Sequence, residues 1–218
     1  MEEIIEKVKL LVREKFSDES TGHDWYHIER VYQNAMHIQS IEGGDKLVVA
    51  LAALLHDIAD HKFHDGDFAI GANVSRQILA GLGVNDGLKN SVAQIVQGVS
   101  FKGANVEQEI LSWEGQIVQD ADRLDAIGAI GIARTFAYGG HVGQPIYVPE
   151  IPPTMHTTKE AYAAGRTHTV NHFHEKLLLL KDRMHTKTGK NMAQQRHLYM
   201  EQFLKQFMLE WNGDFEMK

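Results

Sequence analysis

Two side chains that commonly bind metals, His56 and Asp57, end a long apolar segment of the chain. From Leu47 to Leu55 every residue is Leu, Val or Ala, so the segment is predicted to form a helix that is buried nearly all round. A polar pair at the end of such a helix costs free energy unless a partner replaces the water it loses. A bound cation is an economical partner, so His56-Asp57 is a candidate metal site.

Two distant segments carry further metal-ligand residues, and each is predicted to lie on its own helix. Residues 22–31 read Gly-His-Asp-Trp-Tyr-His-Ile-Glu-Arg-Val and contain His27, while residues 119–126 read Gln-Asp-Ala-Asp-Arg-Leu-Asp-Ala and contain Asp122. The order His27, His56-Asp57, Asp122 resembles the HD-domain metal-dependent phosphohydrolases, whose motif is a His, a His-Asp pair and a lone Asp. The resemblance covers roughly residues 20–140 and, more weakly, the C-terminal helices. Within this superfamily the sequence is most similar to small stand-alone bacterial HD proteins, which include Mn-dependent nucleoside triphosphate pyrophosphohydrolases.

The resemblance implies that His27, His56, Asp57 and Asp122 bind one divalent metal ion. Two imidazole nitrogens with two carboxylates suit Mn, Fe, Co or Ni, with Zn and Mg as weaker candidates, and Mn is the first choice. Four protein ligands on an octahedral ion leave positions for water or a phosphate oxygen, which hydrolysis needs. Related sites with two metals add histidines after the His-Asp pair, but no histidine occurs from Asp65 to residue 140. One metal is therefore predicted.

The assignment of Asp122 comes from the resemblance, because three aspartates stand close together in this segment. Asp122 and Asp125 lie one turn apart on a helix and can share a face, whereas Asp120 points elsewhere. Asp125 could therefore be an outer-sphere group or an alternative ligand. Three carboxylates on a solvated helix face are the simpler alternative for this segment taken alone.

Acidic residues also follow the His-Asp pair at the positions where some nucleotidases of the HD superfamily carry catalytic groups. Here these residues are Asp60 and Asp65. We hypothesise that one of them activates the attacking water or protonates the leaving group. A solvated loop over residues 60–65 is the alternative.

Phosphate binding needs cationic or hydrogen-bonding groups near the motifs. Arg30, Lys62 and Arg123 are the basic residues nearest to them, and arginine can hold phosphate through two parallel hydrogen bonds. His23 and His61 are further candidates for phosphate contact, with surface histidines as the alternative reading. Farther along, His168 and His172 have the i, i+4 spacing of a chelating pair, but no third ligand is evident.

Composition excludes several other classes of function. The 218 residues carry a formal net charge of -7 without a basic block, which disfavours binding to duplex nucleic acid or to anionic membranes. Cysteine is absent, so disulfides and thiolate metal sites are excluded. The N-terminus lacks the features of a signal peptide, and the longest apolar run is too short to span a bilayer. A cytoplasmic enzyme with a free nucleotide as its phosphorylated substrate is expected.

Apolar residues recur with a helical period along nearly the whole chain, which predicts an all-α fold. We expect one HD-type domain over residues 1–218, a bundle of about eight or more helices. The last two helices are predicted at 159–185 and 188–211, and an earlier one from about 117 to 137. An irregular segment rich in Gly and Pro, about 139–157, is a candidate lid or dimer contact. A homodimer is possible.

The resemblance favours hydrolysis of a nucleoside triphosphate to a monophosphate and pyrophosphate. A 5′-nucleotidase or a guanosine polyphosphate hydrolase would use the same four ligands. A nucleotide-binding signalling protein without catalysis is an alternative of another class.

Overall fold

The computed structural model describes residues 2–17, 24–59, 69–99, 111–154 and 167–214. In these residues the chain is helical, with no β-strand, which confirms the predicted all-α fold. The α-helices are α1 (Glu2–Lys15), α2 (Trp25–Glu42), α3 (Lys46–Leu55), α4 (Ile70–Gly81), α5 (Asp86–Val99), α6 (Trp113–Asp125), α7 (Gly128–His141), α8 (Thr169–Glu175) and α9 (Lys187–Asn212). A 3-10 helix, Leu177–Arg183, joins α8 to α9. None of these helices is long and apolar enough to cross a membrane.

Helix α3 lies at the centre of the core, as its apolar sequence predicts. Every residue from Val48 to Leu55 is buried, against neighbours in α1, α2, α5 and α6. The helix begins at Asp45, whose carboxylate accepts from the backbone N–H groups of Leu47 and Val48 at 2.8 and 3.1 Å and so satisfies two N–H groups of the first turn. The chain leaves α3 at His56, which places His56 inside the core and Asp57 next to it, where its side chain is partly exposed.

The other two motif segments also lie at helix ends. Helix α2 begins after Asp24, whose carboxylate accepts from the backbone N–H of His27 at 2.8 Å, so His27 lies in the first turn. Helix α6 ends at Asp125, and Asp122 is therefore in its last turn. Because α6 packs against both α2 and α3, the ends of three helices meet at one place in the core.

The predicted helix over residues 117–137 is wrong, because the structure divides this stretch into α6 and α7. The break falls at Gly128, which has a φ of 78°, a conformation that side chains with a Cβ rarely adopt. A Cβ there would also lie 3.0 Å from Cβ and Cγ of Arg196. Apolar residues continue across the break, with Ile127 and Ile132 buried and Ile130 exposed, so the periodicity does not reveal it.

The predicted helix over 159–185 is also wrong within its described part, residues 167–185. Helix α8 covers only seven residues and is followed by the 3-10 helix. Lys176, between them, has φ -142° and ψ -59°, which is not helical. The helix predicted at 188–211 is confirmed as α9.

Part of the irregular segment, residues 142–154, is tied to the start of α8. The carbonyls of Pro145 and Ile146 accept from the backbone N–H groups of Thr169 and Val170 at 2.9 and 3.1 Å. The carbonyl of Ile151 accepts from the His168 ring and the Asn171 amide, both at 3.1 Å. These bonds fix this part of the segment to the helical body. Its role as a lid or a dimer contact stays a prediction, and residues 155–157 lie outside the described part.

Candidate metal centre

The four predicted ligands converge where the three helix ends meet. The Nε2 atoms of His27 and His56 are 3.2 Å apart. Asp57 Oδ2 lies 3.4 and 3.5 Å from these two nitrogens, and Asp122 Oδ1 lies 3.7 and 3.8 Å from them. The imidazoles are buried, whereas the side chains of Asp57 and Asp122 are 22% and 33% exposed. The cluster therefore has a buried imidazole floor and a carboxylate rim that faces solvent.

Hydrogen bonds on the side of each imidazole that faces away from the ligand cluster determine which ring nitrogen is available to a metal. His27 Nδ1 lies 2.7 Å from the Asp125 carboxylate, and His56 Nδ1 lies 2.8 Å from the carbonyl of Ala53. The nearest group to each Nδ1 is an acceptor, and Arg134 Nη1 is farther from His27 Nδ1, at 3.3 Å. Each Nδ1 therefore carries a proton, and each ring, when neutral, presents a lone pair at Nε2. Two lone pairs thus face each other beside two carboxylates, and this arrangement requires a cation or extra protons between them.

The spacing fits a single divalent ion. Two ligands at right angles on one ion, each about 2.1 Å from it, are about 3.0 Å apart. His27, His56 and Asp57 each offer a ligand atom, and these atoms all lie within 4.8 Å of one another. Asp122 is not in that group, but its Oδ1 lies 3.7 Å from His27 Nε2. Nitrogen with carboxylate oxygen is a donor set that suits a divalent transition metal.

Electrostatics lead to the same conclusion. Burial alone would lower the pKa of His27, but hydrogen bonds to Asp125 and Asp57 and the charges of Asp57 and Asp122 outweigh it and raise the pKa to about 9. Burial would likewise raise the pKa of Asp125, but the hydrogen bonds from His27 and Arg30 and the charges of His27 and Arg134 hold it well below its ordinary value. Without a metal, His27 is therefore an imidazolium at neutral pH. A proton then supplies the positive charge that the cluster needs.

Metal binding is therefore expected to displace a proton from His27. Because the pKa is raised from 6.5 to about 9, affinity for Mn²⁺ should fall about tenfold for each pH unit below 9. The folding stability of the metal-free protein changes with pH in the opposite direction to metal affinity. The stabilisation from protonated His27 is complete below pH 6.5 and is lost as pH rises through 9. Calorimetric titration of Mn²⁺ in buffers of different ionisation enthalpy should show about one proton released at neutral pH. An affinity that does not change with pH would contradict the assignment of His27.

Asp125 lies behind His27 and is held by two arginines. Arg30 donates from Nε to Oδ1 at 2.6 Å and from Nη2 to Oδ2 at 3.0 Å, and Arg134 donates from Nη1 to Oδ2 at 2.7 Å. These contacts favour the outer-sphere role, one of the two roles left open for Asp125. Arg30, predicted to bind substrate, does reach the centre, but these two donors serve Asp125. Sequence reasoning missed Arg134, which follows Asp125 by nine residues across a helix break, so helical spacing could not place it there.

Asp120 and Arg123 face the C-terminal helices. The Asp120 carboxylate accepts from the backbone N–H of His185 at 2.9 Å and from the backbone N–H and the hydroxyl of Thr186, both at 2.8 Å. Arg123, predicted to bind substrate, donates to the carbonyl of Arg183, and its Nη1 lies 3.2 Å from Nε2 of His185. The described hydrogen bonds of Arg123 thus hold the segment that leads into α9 and do not bring its guanidinium into the ligand cluster.

Five other candidates, His23, Asp60, His61, Lys62 and Asp65, lie outside the described residues and stay predictions. The i, i+4 pair His168 and His172 is not arranged as a chelate. Nδ1 of His168 accepts from the backbone N–H of Asn171 at 3.2 Å, and its Nε2 donates to the carbonyl of Ile151 at 3.1 Å. Both ring nitrogens of His168 are thus used to begin α8 and to hold the preceding segment.

Comparison with known proteins agrees with this geometry. A family model of the HD domain matches residues 24–127, from the start of α2 to just beyond the end of α6. The chain belongs to the superfamily of HD-domain metal-dependent phosphohydrolases. YpgQ of Bacillus subtilis is 40% identical to it over 202 residues, which is 92% of this chain and 90% of YpgQ.

Solved structures show the same fold over nearly the full length. A protein from Lactobacillus plantarum superposes with a TM-score of 0.84 and 36% identity and covers 98% of both chains. An HD-superfamily hydrolase from Bacillus thuringiensis has a TM-score of 0.78 and 43% identity, over 97% of this chain and 98% of its own. YpgQ has been solved in complex with ADP, with a TM-score of 0.75 and 33% identity over 94% of this chain and 97% of YpgQ.

Proposed function

We propose that this HD-superfamily hydrolase acts on nucleotides, converting a nucleoside triphosphate to a monophosphate and pyrophosphate with one divalent metal ion, Mn first. The observation that carries the proposal is the pair of imidazole Nε2 atoms 3.2 Å apart beside two carboxylates. His27, His56, Asp57 and Asp122 would hold the ion. When bound, such an ion supplies a water molecule of lowered pKa and neutralises charge on a phosphoryl group.

A nucleotide is the proposed substrate class because YpgQ, a relative over nearly the whole chain, binds ADP. ADP carries the phosphoanhydride that a pyrophosphohydrolase must accommodate. The exposed sides of Asp57 and Asp122 leave an approach from solvent to the ligand cluster. The net charge of -7 and the absence of a basic block further support a free nucleotide over a nucleic acid.

Product analysis tests the proposal directly. The Mn-loaded protein is incubated in ¹⁸O-labelled water with nucleoside triphosphates, nucleoside monophosphates and guanosine polyphosphates, and the products are identified by ³¹P NMR and mass spectrometry. We expect pyrophosphate and a monophosphate that carries the label if attack is at the α-phosphorus. Phosphate released from monophosphates would instead establish a 5′-nucleotidase, and pyrophosphate from guanosine polyphosphates alone would establish their hydrolase. Nucleotide binding without turnover, with Mn, Co, Ni or Mg, would favour the signalling class and overturn the proposal.

Within this function we propose that one of Asp60 and Asp65 is the general acid or base, and that Lys62, His61 and His23 contact phosphate. The proposal comes from their positions beside the motifs. Replacing Asp60 with Asn is expected to lower turnover at least about tenfold, because a general acid or base contributes roughly 10²- to 10⁴-fold. The measurement is kcat at full metal occupancy, with Asp65→Asn assayed in parallel. Unchanged turnover in Asp60→Asn would reject the catalytic role of Asp60.

A further inference from the structure

The Asp125 carboxylate is buried and accepts four hydrogen bonds. It is 1% exposed and accepts from His27 Nδ1, Arg30 Nε, Arg30 Nη2 and Arg134 Nη1, at 2.6 to 3.0 Å. Three of these donors share Oδ2, and only Arg30 Nε donates to Oδ1. Two guanidinium groups and one imidazole share a single anion, so the orientation of this carboxylate depends on how they compete for it.

The donors approach Asp125 from two directions. His27 and Arg30 both come from the first turns of α2, whereas Arg134 comes from α7. Arginine and carboxylate form strong forked pairs, so Arg30 alone would draw the carboxylate into its own plane. Arg134 donates to Oδ2, the same oxygen that accepts from His27. Arg30 Nη2 also donates to Oδ2, at 3.0 Å, so Arg134 is the donor to this oxygen that comes from a helix other than α2.

We propose that Arg134 is a positioning residue for the metal centre: it holds Asp125 Oδ2 against Nδ1 of His27, so that the ring keeps its proton there and presents Nε2 to the ion. The inference rests on the metal site of the proposed function. It also places a contact to this centre outside the residues matched by the HD-domain model, because Arg134 follows residue 127.

A second arginine provides a matched control. Arg196, on α9, donates to the carbonyl of Leu124 at 2.5 Å and to Asn34 Oδ1 at 3.1 Å. It holds the same end of α6 as Arg134 does, and it is also partly buried, but its hydrogen bonds do not go to the Asp125 carboxylate. An effect of replacing Arg196 therefore measures general destabilisation of the end of α6. An additional effect of replacing Arg134 measures the contribution of its bond to Asp125.

The experiment compares Arg134→Gln, Arg134→Lys and Arg196→Gln with the unaltered chain. Calorimetry measures the affinity of each metal-free protein for Mn²⁺ alone. Removing an outer-sphere partner typically costs 10- to 100-fold in metal affinity, and since Arg134 acts through Asp125 we expect about tenfold for Arg134→Gln. Arg134 donates to Oδ2 from Nη1, a single charge-assisted bond that a lysine ammonium can replace, so Arg134→Lys should recover most of the affinity, to within about threefold. Arg196→Gln should lower the melting temperature and leave Mn²⁺ affinity within about twofold.

A spectroscopic readout separates positioning from stability. Two-bond ¹H–¹⁵N spectra of the Zn²⁺-loaded protein should show the His27 proton on Nδ1, protected from exchange with solvent, in the unaltered chain and in Arg196→Gln. In Arg134→Gln this proton should exchange faster. Equal Mn²⁺ affinity in Arg134→Gln and the unaltered chain would overturn the role of Arg134 while the metal site stands, and so would an equal loss in Arg196→Gln. Failure of the unaltered chain to bind Mn²⁺ would overturn the proposed function and this inference together.

Discussion

Asp122→Asn is expected to abolish tight Mn²⁺ binding and to lower turnover by about three powers of ten, because metal catalysis contributes several kcal/mol to the transition state and each factor of ten is about 1.4 kcal/mol. The carboxylate lies 3.7 and 3.8 Å from the two imidazole nitrogens, and its side chain is one-third exposed. The metal-free fold should therefore change little, by less than about 1 kcal/mol. Mn²⁺ calorimetry, kcat and the melting temperature of the metal-free protein measure these effects.

Asp120→Asn, two residues away, is expected to have the opposite effect. Asp120 is completely buried, and its carboxylate accepts from three donors at the start of α9. Asparagine replaces one carboxylate oxygen with an NH₂ group, so at least one of these donors loses its acceptor and faces another donor. We therefore expect a loss of about 2 to 4 kcal/mol of folding free energy. For a chain of this length that is a fall of roughly 5 to 15 °C in the melting temperature. Mn²⁺ affinity, measured well below the transition, should stay within about threefold.

The two variants serve as controls for each other, since both exchange one oxygen for nitrogen on the same helix. A destabilised Asp122→Asn that still binds Mn²⁺ would show that Asp122 is structural. Loss of Mn²⁺ by a thermally stable Asp120→Asn would mean that the ligand had been assigned to the wrong aspartate. Unfolding curves and titrations on the same protein samples distinguish these outcomes.

The elements around the metal centre were predictable because their sequence patterns are strong. An apolar run that ends in His56-Asp57 indicates a buried helix and its termination, and the structure has both. The choice among the aspartates depended on the resemblance, since Asp122 and Asp125 share a face of α6. The structure explains their different roles: the ring of His27 stands between them, with Nε2 toward Asp122 and Nδ1 toward Asp125.

What the sequence did not reveal depends on backbone breaks and tertiary contacts. Gly128 interrupts a continuous helical pattern through its positive φ, which periodicity does not register. Arg134 reaches Asp125 only because of that break, and the partners of Asp120 lie about 65 residues later in the chain. Contacts of this kind become visible only when the fold has brought distant segments together.

The carboxylate rim described above has a consequence for the order in which ligands arrive. Asp57 and Asp122 are partly exposed and present negative charge at the ligand cluster, while Arg30 and Arg134 bind Asp125 on the Nδ1 side of the His27 ring. Two carboxylates at the cluster attract a divalent cation and repel a polyphosphate. Under the proposed function we therefore expect a nucleotide to enter after the cation or together with it, and a nucleotide without metal to bind more weakly.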